Sequence, residues 1–226
     1  RNAVVFQHNK EWRSGAEFYY YNDKLNIDDM GYLYRNNLFS GGANVSYTRT
    51  DFAEDSPVLS RSYSWDFWSE NNADGDTIDN SLVLFFMQRF KDTSSINLNL
   101  FTDSEGIDDD VTRGSLSAPF IENGKGLTAD FGYNTRIIGK WQADFNVHAQ
   151  KKDRLSFTER TRRVKTGIRY FPADNLRFYL SLSHQRTGNW FIWRSENRYA
   201  SYQSKNTTIK LNSRWYPDDR QELQLK

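Results

Sequence analysis

Apolar and polar side chains alternate along much of this chain with the period of two that sends successive residues to opposite faces of a β-strand. From Leu127 the odd positions read Leu127, Ala129, Phe131, Tyr133, Thr135 and Ile137, while the even ones read Thr128, Asp130, Gly132, Asn134 and Arg136. The next stretch sets Trp141, Ala143, Phe145, Val147 and Ala149 against Gln142, Asp144, Asn146, His148 and Gln150. Val164, Thr166, Ile168 and Tyr170 alternate with Arg163, Lys165, Gly167 and Arg169, and Leu176, Phe178, Leu180 and Leu182 with Arg177, Tyr179, Ser181 and Ser183. Weaker alternation runs through Ala43 to Tyr47, Tyr63 to Phe67, Leu82 to Phe86, Ile96 to Leu100 and Ile209 to Trp215. The pattern predicts eleven to thirteen strands and no helix.

Stretches of roughly nine to twelve residues exceed the 5 or 6 usual in globular sheets and match a tilted strand that crosses a bilayer. Pro57, Pro119, Pro172 and Pro217 all fall between the stretches, where a missing N–H breaks no ladder bond. Short turns are predicted at Lys91 to Ser95, Ile138 to Lys140, Phe171 to Asn175 and Tyr216 to Arg220, with a long polar excursion from Asp103 to Lys125 and a moderate one from Lys151 to Arg162. Short turns on one side and longer loops on the other are the arrangement of an outer-membrane barrel. The fold class expected is therefore all-β: an antiparallel up-and-down transmembrane β-barrel, or a large part of one, with short periplasmic turns and longer extracellular loops. A single domain over residues 1–226 is expected, as part of a longer precursor.

Placing both apolar sets of each hairpin on one face pairs Ile137 with Trp141, Tyr170 with Leu176 and Phe90 with Ile96. Phe90, Trp141, Tyr170 and Trp215 then point outward beside the short turns, as an aromatic girdle at the membrane interface would. The same registers put Arg163, Lys165, Arg169 and Arg177 on the polar, lumen-facing side, with Arg169 opposite Arg177. Like charges directly opposite destabilise a sheet unless water or a counter-ion intervenes, and a basic wall favours anionic solutes. Asp130 falls opposite His148 as a lumenal polar pair.

Composition narrows the classes further. Aromatics make up 16% of the residues, which argues against disorder, and the absence of Cys removes disulfides, thiolate metal sites and cysteine nucleophiles together. The longest apolar run, Leu82 to Met87, is far short of the roughly 18 residues a membrane helix needs. Net charge is +1, yet residues 1–110 carry 19 acidic against 9 basic groups and the remainder 21 basic against 10 acidic. With no nucleic-acid-binding motif in the basic half, this asymmetry reads as charge spread over the solvated face of one sheet, and no nucleic-acid partner is expected. A mean hydropathy of −0.83 is low for a membrane wall and calls for a polar lumen and acidic loops.

Asp130 beside His148 is half of a catalytic triad, but no serine in a nucleophile-elbow setting accompanies it. Two acidic stretches, Asp74, Asp76 and Asp79 and then Asp103, Glu105, Asp108, Asp109 and Asp110, lack the bidentate Glu that ends a calcium loop. Neither enzymatic activity, nor a metal, nor a cofactor is expected.

The stretch Gly15-Ala16-Glu17-Phe18, followed by Leu25-Asn26-Ile27-Asp28-Asp29-Met30-Gly31-Tyr32-Leu33-Tyr34-Arg35-Asn36-Asn37, resembles a motif of an uncharacterised bacterial outer-membrane β-barrel domain that commonly follows a family-nine carbohydrate-binding-like module. Asp109-Asp110-Val111-Thr112-Arg113-Gly114 is similar to an internal loop of that domain, and Gly188-Asn189-Trp190 with Tyr216 to Lys226 to its closing strands. Asp28 stands where that family usually has Asn, and Gly114-Ser115 where a pair of glycines is usual. The resemblance implies barrel architecture and a place in the Gram-negative outer membrane, and no enzyme activity. Taken together, the expected function is a porin-like passage for small solutes, anionic or glycan-derived, with outer-membrane lipid and oligosaccharides as partners. Two alternatives stand beside it: a soluble all-β carbohydrate-binding module using Trp65, Trp68, Trp190 and Trp193 for stacking, and a structural or docking barrel without transport.

Overall fold

The structure, a computed structural model, describes residues 2–21, 37–72, 74–108, 120–154, 157–195, 198–218 and 221–225. Thirteen strands form one antiparallel sheet: β1 Asn2–Gln7, β2 Trp12–Tyr21, β3 Leu38–Arg49, β4 Val58–Asn72, β5 Thr77–Phe90, β6 Ser95–Asp103, β7 Gly106–Asp108, β8 Ile121–Asn134, β9 Trp141–Arg154, β10 Phe157–Ala173, β11 Leu176–Ser195, β12 Arg198–Asp218 and β13 Gln221–Leu225. Neighbours in sequence are neighbours in space throughout, and the short β7 sits off the path, paired to β8. Among the described residues β1 and β13 are the two edges, and no pairing joins them.

Every register keeps the two faces separate. One row runs Tyr47↔Tyr63↔Phe86↔Leu98↔Phe131↔Val147↔Val164, apolar from strand to strand. The adjacent row reads Ser46↔Ser64↔Phe85↔Asn99↔Asp130↔His148↔Arg163 and is polar but for Phe85. Burial inverts the usual rule that apolar groups lie inside. Phe67, Leu127, Val164, Leu180 and Ile209 are 50%, 51%, 47%, 50% and 71% exposed, whereas Ser40, Ser81, Thr161, Ser181 and Thr187 are buried. Leu38, Val58, Ile121 and Phe191 are the only buried hydrophobic residues among those described, so no dry core lies between two layers.

The turns predicted after Phe90, Thr135, Tyr170 and Tyr216 all lie at one end of the sheet, because adjacent strands alternate in direction. Their details depart from expectation. A two-residue connection, Asp174 and Asn175, joins Ala173 to Leu176, and a bulge after Tyr170 shifts the register so that Tyr170 faces Phe178 rather than Leu176. Gln88, not Phe90, faces Ile96, and Phe90 pairs back with Val58. Asn134 faces Asp144 in the predicted register, but Ile138 rather than Ile137 bridges to Trp141, with Gly139 at φ 60°. A glycine with positive φ at the first central position is what a two-residue turn of this kind requires.

At the far end the moderate loop expected from Lys151 to Arg162 is strand instead, with β9 running to Arg154 and β10 starting at Phe157. The strands β10, β11 and β12 reach 17, 20 and 21 residues. From Lys151 to Arg154 and from Thr158 to Arg162 polar residues occupy both faces, so the alternation that marks a strand is absent from that part of the sequence, whereas the facing end of β11 carries Trp190, Phe191, Ile192 and Trp193. Part of the Asp103 to Lys125 excursion forms β7, while residues 109–119 lie outside the described residues, as do 22–36.

Glycine lets aromatic rings lie flat on the polar face. A Cβ at Gly42 would meet the Trp68 ring at 2.0 Å, and Trp68 is held there by donating from Nε1 to Glu70 Oε1 at 3.0 Å. Overpacking of this kind costs about 1–3 kcal/mol, so Gly42→Ala should lower the denaturant midpoint of the refolded protein. Gly188, whose added Cβ meets nothing within 4 Å, should tolerate Ala without loss in the same assay.

The turn between β5 and β6 carries a titratable lock. Ser94 donates to Asp92 Oδ1 from its hydroxyl at 2.5 Å and from its amide at 3.0 Å, and these bonds hold the exposed Asp92 carboxyl below its ordinary value of 3.8. A depressed carboxylate stabilises above its unfolded value and loses that effect as pH falls through the folded one. Protection of the Ser94 amide against hydrogen exchange, corrected for intrinsic rate, should therefore fall on acidification below 3.8. In Asp92→Asn it should be independent of pH over that window.

Candidate functional site

The polar face gathers the sequence's charge asymmetry into two fields. Asp66, Glu70, Asp79 and Asp103 lie on it along β4, β5 and β6, whereas Arg163, Lys165, Arg169, Arg177, Lys210 and Arg214 lie on it along β10, β11 and β12. Between them Asp130 and His148 face each other across β8 and β9, with His148 Nδ1 and Asp130 Oδ1 2.9 Å apart and both side chains largely sheltered. Arg163 sits opposite His148 on one side and Gln185 on the other, with its Nε buried and without a hydrogen-bond acceptor.

The basic field is organised around Tyr179. Gly167 lies in the middle of β10, and a Cβ there would come within 2.5 Å of the Tyr179 ring. The hydroxyl of Tyr179 donates to Asp144 Oδ2 at 3.2 Å, and Asp144 Oδ1 is 3.2 Å from Arg169 Nη1. Arg169 and Lys165 both stack over the ring, at 4.9 and 5.6 Å from its centroid. Two cations thus lie over one ring, and one of them, Arg169, also pairs with the carboxylate to which that ring is hydrogen-bonded.

Arg169 faces Tyr179, correcting the expected opposition to Arg177, because the bulge beyond Tyr170 moves the register by two residues. A shift of two preserves parity, so both arginines stay on the polar face. Arg177 instead faces Arg214 on β12, and that like-charged pair, with Arg169, Tyr179, Asn212 and Gln224, lines a cleft of about 270 Å³. Glu222 offsets Arg214 at 3.6 Å, while Arg177 forms no ion pair among the described residues.

Phe90, Trp141, Tyr170 and Trp215 all lie on the apolar face at the end that bears the short turns. Trp141 and Tyr170 are directly paired, with ring centroids 4.3 Å apart, and Trp215 pairs with Leu176. Phe90 lines a recess with Ile96 and Tyr133. Trp12, Tyr47 and Tyr63 extend the row onto β2, β3 and β4 with centroids 5.0 and 6.2 Å apart. Tyr47 and Tyr63 belong to the weakly alternating stretches of the sequence and Trp12 to none, and the alternation assigns none of the three to the girdle. Trp65 and Trp68 occupy opposite faces of β4, so the four tryptophans of the carbohydrate-stacking alternative do not share one platform.

Gly167, Lys210, Arg214, Asp144 and Tyr179 are the site residues that sequence reasoning missed. A glycine interior to a strong strand marks close approach of another group, and Gly167 was in that sense legible. Metal chemistry finds no support in side-chain grouping: no cluster of three or more His, Asp or Glu that could hold an ion forms among the described residues, and Asp109 and Asp110 lie outside them.

Replacing Tyr179 separates the two tasks of that ring. Tyr179→Phe keeps the cover on Gly167 and removes one hydrogen bond, and should cost about 1 kcal/mol in equilibrium unfolding. Tyr179→Ala should cost more than that, since it also uncovers the glycine and strips two cations of their shared face.

No family model matches this chain, and no curated protein or solved structure is similar to it.

Proposed function

We propose that this chain is the wall of a bacterial outer-membrane β-barrel that passes small solutes and favours anions. The observation that carries the reading is the inversion of burial: the apolar side chains form the exposed face and the serines, threonines and charges form the sheltered one. In water such a sheet leaves a far larger apolar area exposed than soluble proteins tolerate. Hydrocarbon outside and water inside satisfy both faces. Aromatic rings at one margin, Trp12, Trp141, Tyr170 and Trp215 among them, suit the headgroup level of such a wall.

Parity permits closure. With β7 off the path, the sheet is twelve strands long, and in an alternating series of even number the first and last strands run antiparallel. Pairing β1 with β13 would then close an even-stranded barrel of the bacterial type. Val4 and Phe6 on one edge and Leu223 and Leu225 on the other belong to the apolar face, so closure keeps the faces continuous. Across the lumen the acidic strands β4 to β6 would look toward the basic strands β10 to β12.

Anions are favoured because the basic field outnumbers its local carboxylates. Of Arg163, Lys165, Arg169 and Arg177, Arg169 alone has a carboxylate within ion-pair distance among the described residues, that of Asp144. Chloride or a solute carboxylate entering from the lumen would meet uncompensated positive charge held in place by Tyr179.

Two measurements test the reading in turn. The folded protein should migrate differently on SDS gels before and after boiling, as closed barrels do, and identical migration with release into detergent-free buffer would sink it. In planar bilayers under a salt gradient, the wild-type reversal potential should indicate anion preference, and changing the four basic residues to Ser should abolish or reverse that preference. Unchanged selectivity in the quadruple variant would refute the role given to this wall.

A further inference from the structure

The outward face carries a second basic cluster, separate from the one on the polar face. Arg162 on β10, Arg186 on β11 and Lys205 on β12 stand directly opposite one another across three adjacent strands. All three side chains are exposed. Like charges in direct register destabilise a sheet, and no carboxylate lies within ion-pair distance of any of the three among the described residues. Arg160 and Lys151, paired with each other one step further along, enlarge the cluster. Asp153, two residues beyond Lys151 on β9, is engaged by Thr158 at 2.8 Å and by Lys151 at 3.5 Å.

The position of the trio is specific. It bounds the apolar band on the side away from the short turns, with the exposed Trp190, Tyr199 and Tyr202 further along β11 and β12: the row beside it is Val164, His184 and Thr207, and the next is Thr166, Leu182 and Ile209. Arg162 lies eight residues along its strand from Tyr170, and Arg186 eight from Phe178. At a rise of about 3.3 Å per residue that is about 26 Å along the strand, or about 20 Å along the membrane normal at the roughly 35–45° tilt of barrel strands, a distance that fits within an apolar belt about 25 Å tall. The opposite margin is handled differently. Arg49 and Arg61 also face each other there, but both lie over the Phe52 ring, at 4.9 and 5.8 Å, and they donate to Asp51 O and to Gln88 Oε1.

We infer that Arg162, Arg186 and Lys205 bind the phosphate groups of an anionic lipid whose acyl chains lie on Val164, Leu182 and Ile209. Only an amphiphile matches both halves of this surface, an apolar strip that ends abruptly in uncompensated cations. Guanidinium groups bind phosphate through paired N–H donors, and a basic side chain near an anionic membrane surface contributes about 1 kcal/mol. A lipid phosphate would also remove the repulsion within the trio. The inference rests on the membrane-wall reading, since it takes the outward face to be in contact with lipid.

Spin-labelled lipids test it on the full-length folded protein. Reconstituted in phosphatidylcholine vesicles, the protein should immobilise spin-labelled phosphatidic acid at least about fivefold more strongly than spin-labelled phosphatidylcholine, one basic side chain's contribution. Arg162→Gln, Arg186→Gln and Lys205→Gln should each lower that preference in part, and the triple variant should erase it while phosphatidylcholine is still immobilised. Equal immobilisation of both lipids by the wild type overturns the site and leaves the membrane wall standing, whereas immobilisation of neither overturns the wall itself. Saturable calorimetric binding of inorganic phosphate to the wild type but not the triple variant would assign the trio to a free anion, and so also overturn the lipid assignment.

Discussion

Phase is the constraint on which this sheet depends. Because side chains alternate with a period of two, a slip of one residue between any two strands would carry every apolar side chain of one of them onto the wrong face. Across the path from β1 to β13 that slip does not occur in the body of the sheet, and the irregularities sit near strand ends or beyond the apolar band: after Val58, Glu70, Asn123, Tyr170, Thr187, Trp193 and Trp215. A bulge at such a place re-aims a turn or ends a ladder without mixing the faces behind it. The coherence of one exposed apolar surface and one sheltered polar surface is the product of all these registers together.

Two consequences follow for the polar face. Since it is sheltered, its charges need partners or water, and the chain supplies partners sparsely: Asp144 for Arg169, Asp130 for His148, Glu222 for Arg214. Since strands pack side by side on it, a neighbour without a side chain lets a large ring lie flat. Gly42 under Trp68 and Gly167 under Tyr179 are the same solution in the acidic and basic halves. In both, the polar atom of the ring is tied to a carboxylate, Glu70 or Asp144, which fixes the ring over the glycine.

The apolar face is arranged differently. Its middle rows hold almost no charge, and its margins hold aromatic rings at one end and basic side chains at the other. Where arginines occur at the ring-bearing margin they are stacked on Phe52 and hydrogen-bonded within the protein. At the opposite margin Arg162, Arg186 and Lys205 are aligned by strand register and left to the surroundings. Low mean hydropathy is compatible with this division, because strands of 17, 20 and 21 residues extend past the apolar band and add many polar and charged residues there, beside an aromatic cluster of Phe157, Phe191 and Tyr199.

The alternation in segments such as Leu127 to Ile137 and Trp141 to Ala149 determined the all-β class, the strand positions and which residues share a face, because a period of two is a local property that each segment carries by itself. Asp130 opposite His148 was readable for the same reason: one hairpin with a short turn fixes the pairing. Arg169 and Arg177 were assigned to the correct face but to the wrong partners, since parity survives a two-residue shift and neighbour identity does not. That shift depends on how Phe171 to Asn175 turn, and a bulge there is decided by packing against Lys140 and Tyr216. The extension of β9 and β10 through Lys151 to Arg162 had no local signal, because cross-strand hydrogen bonds rather than apolar contrast hold it. The alignment of Arg162, Arg186 and Lys205 required three strands at once, and a contact between residues far apart in sequence exists only when tertiary pairing sets their register.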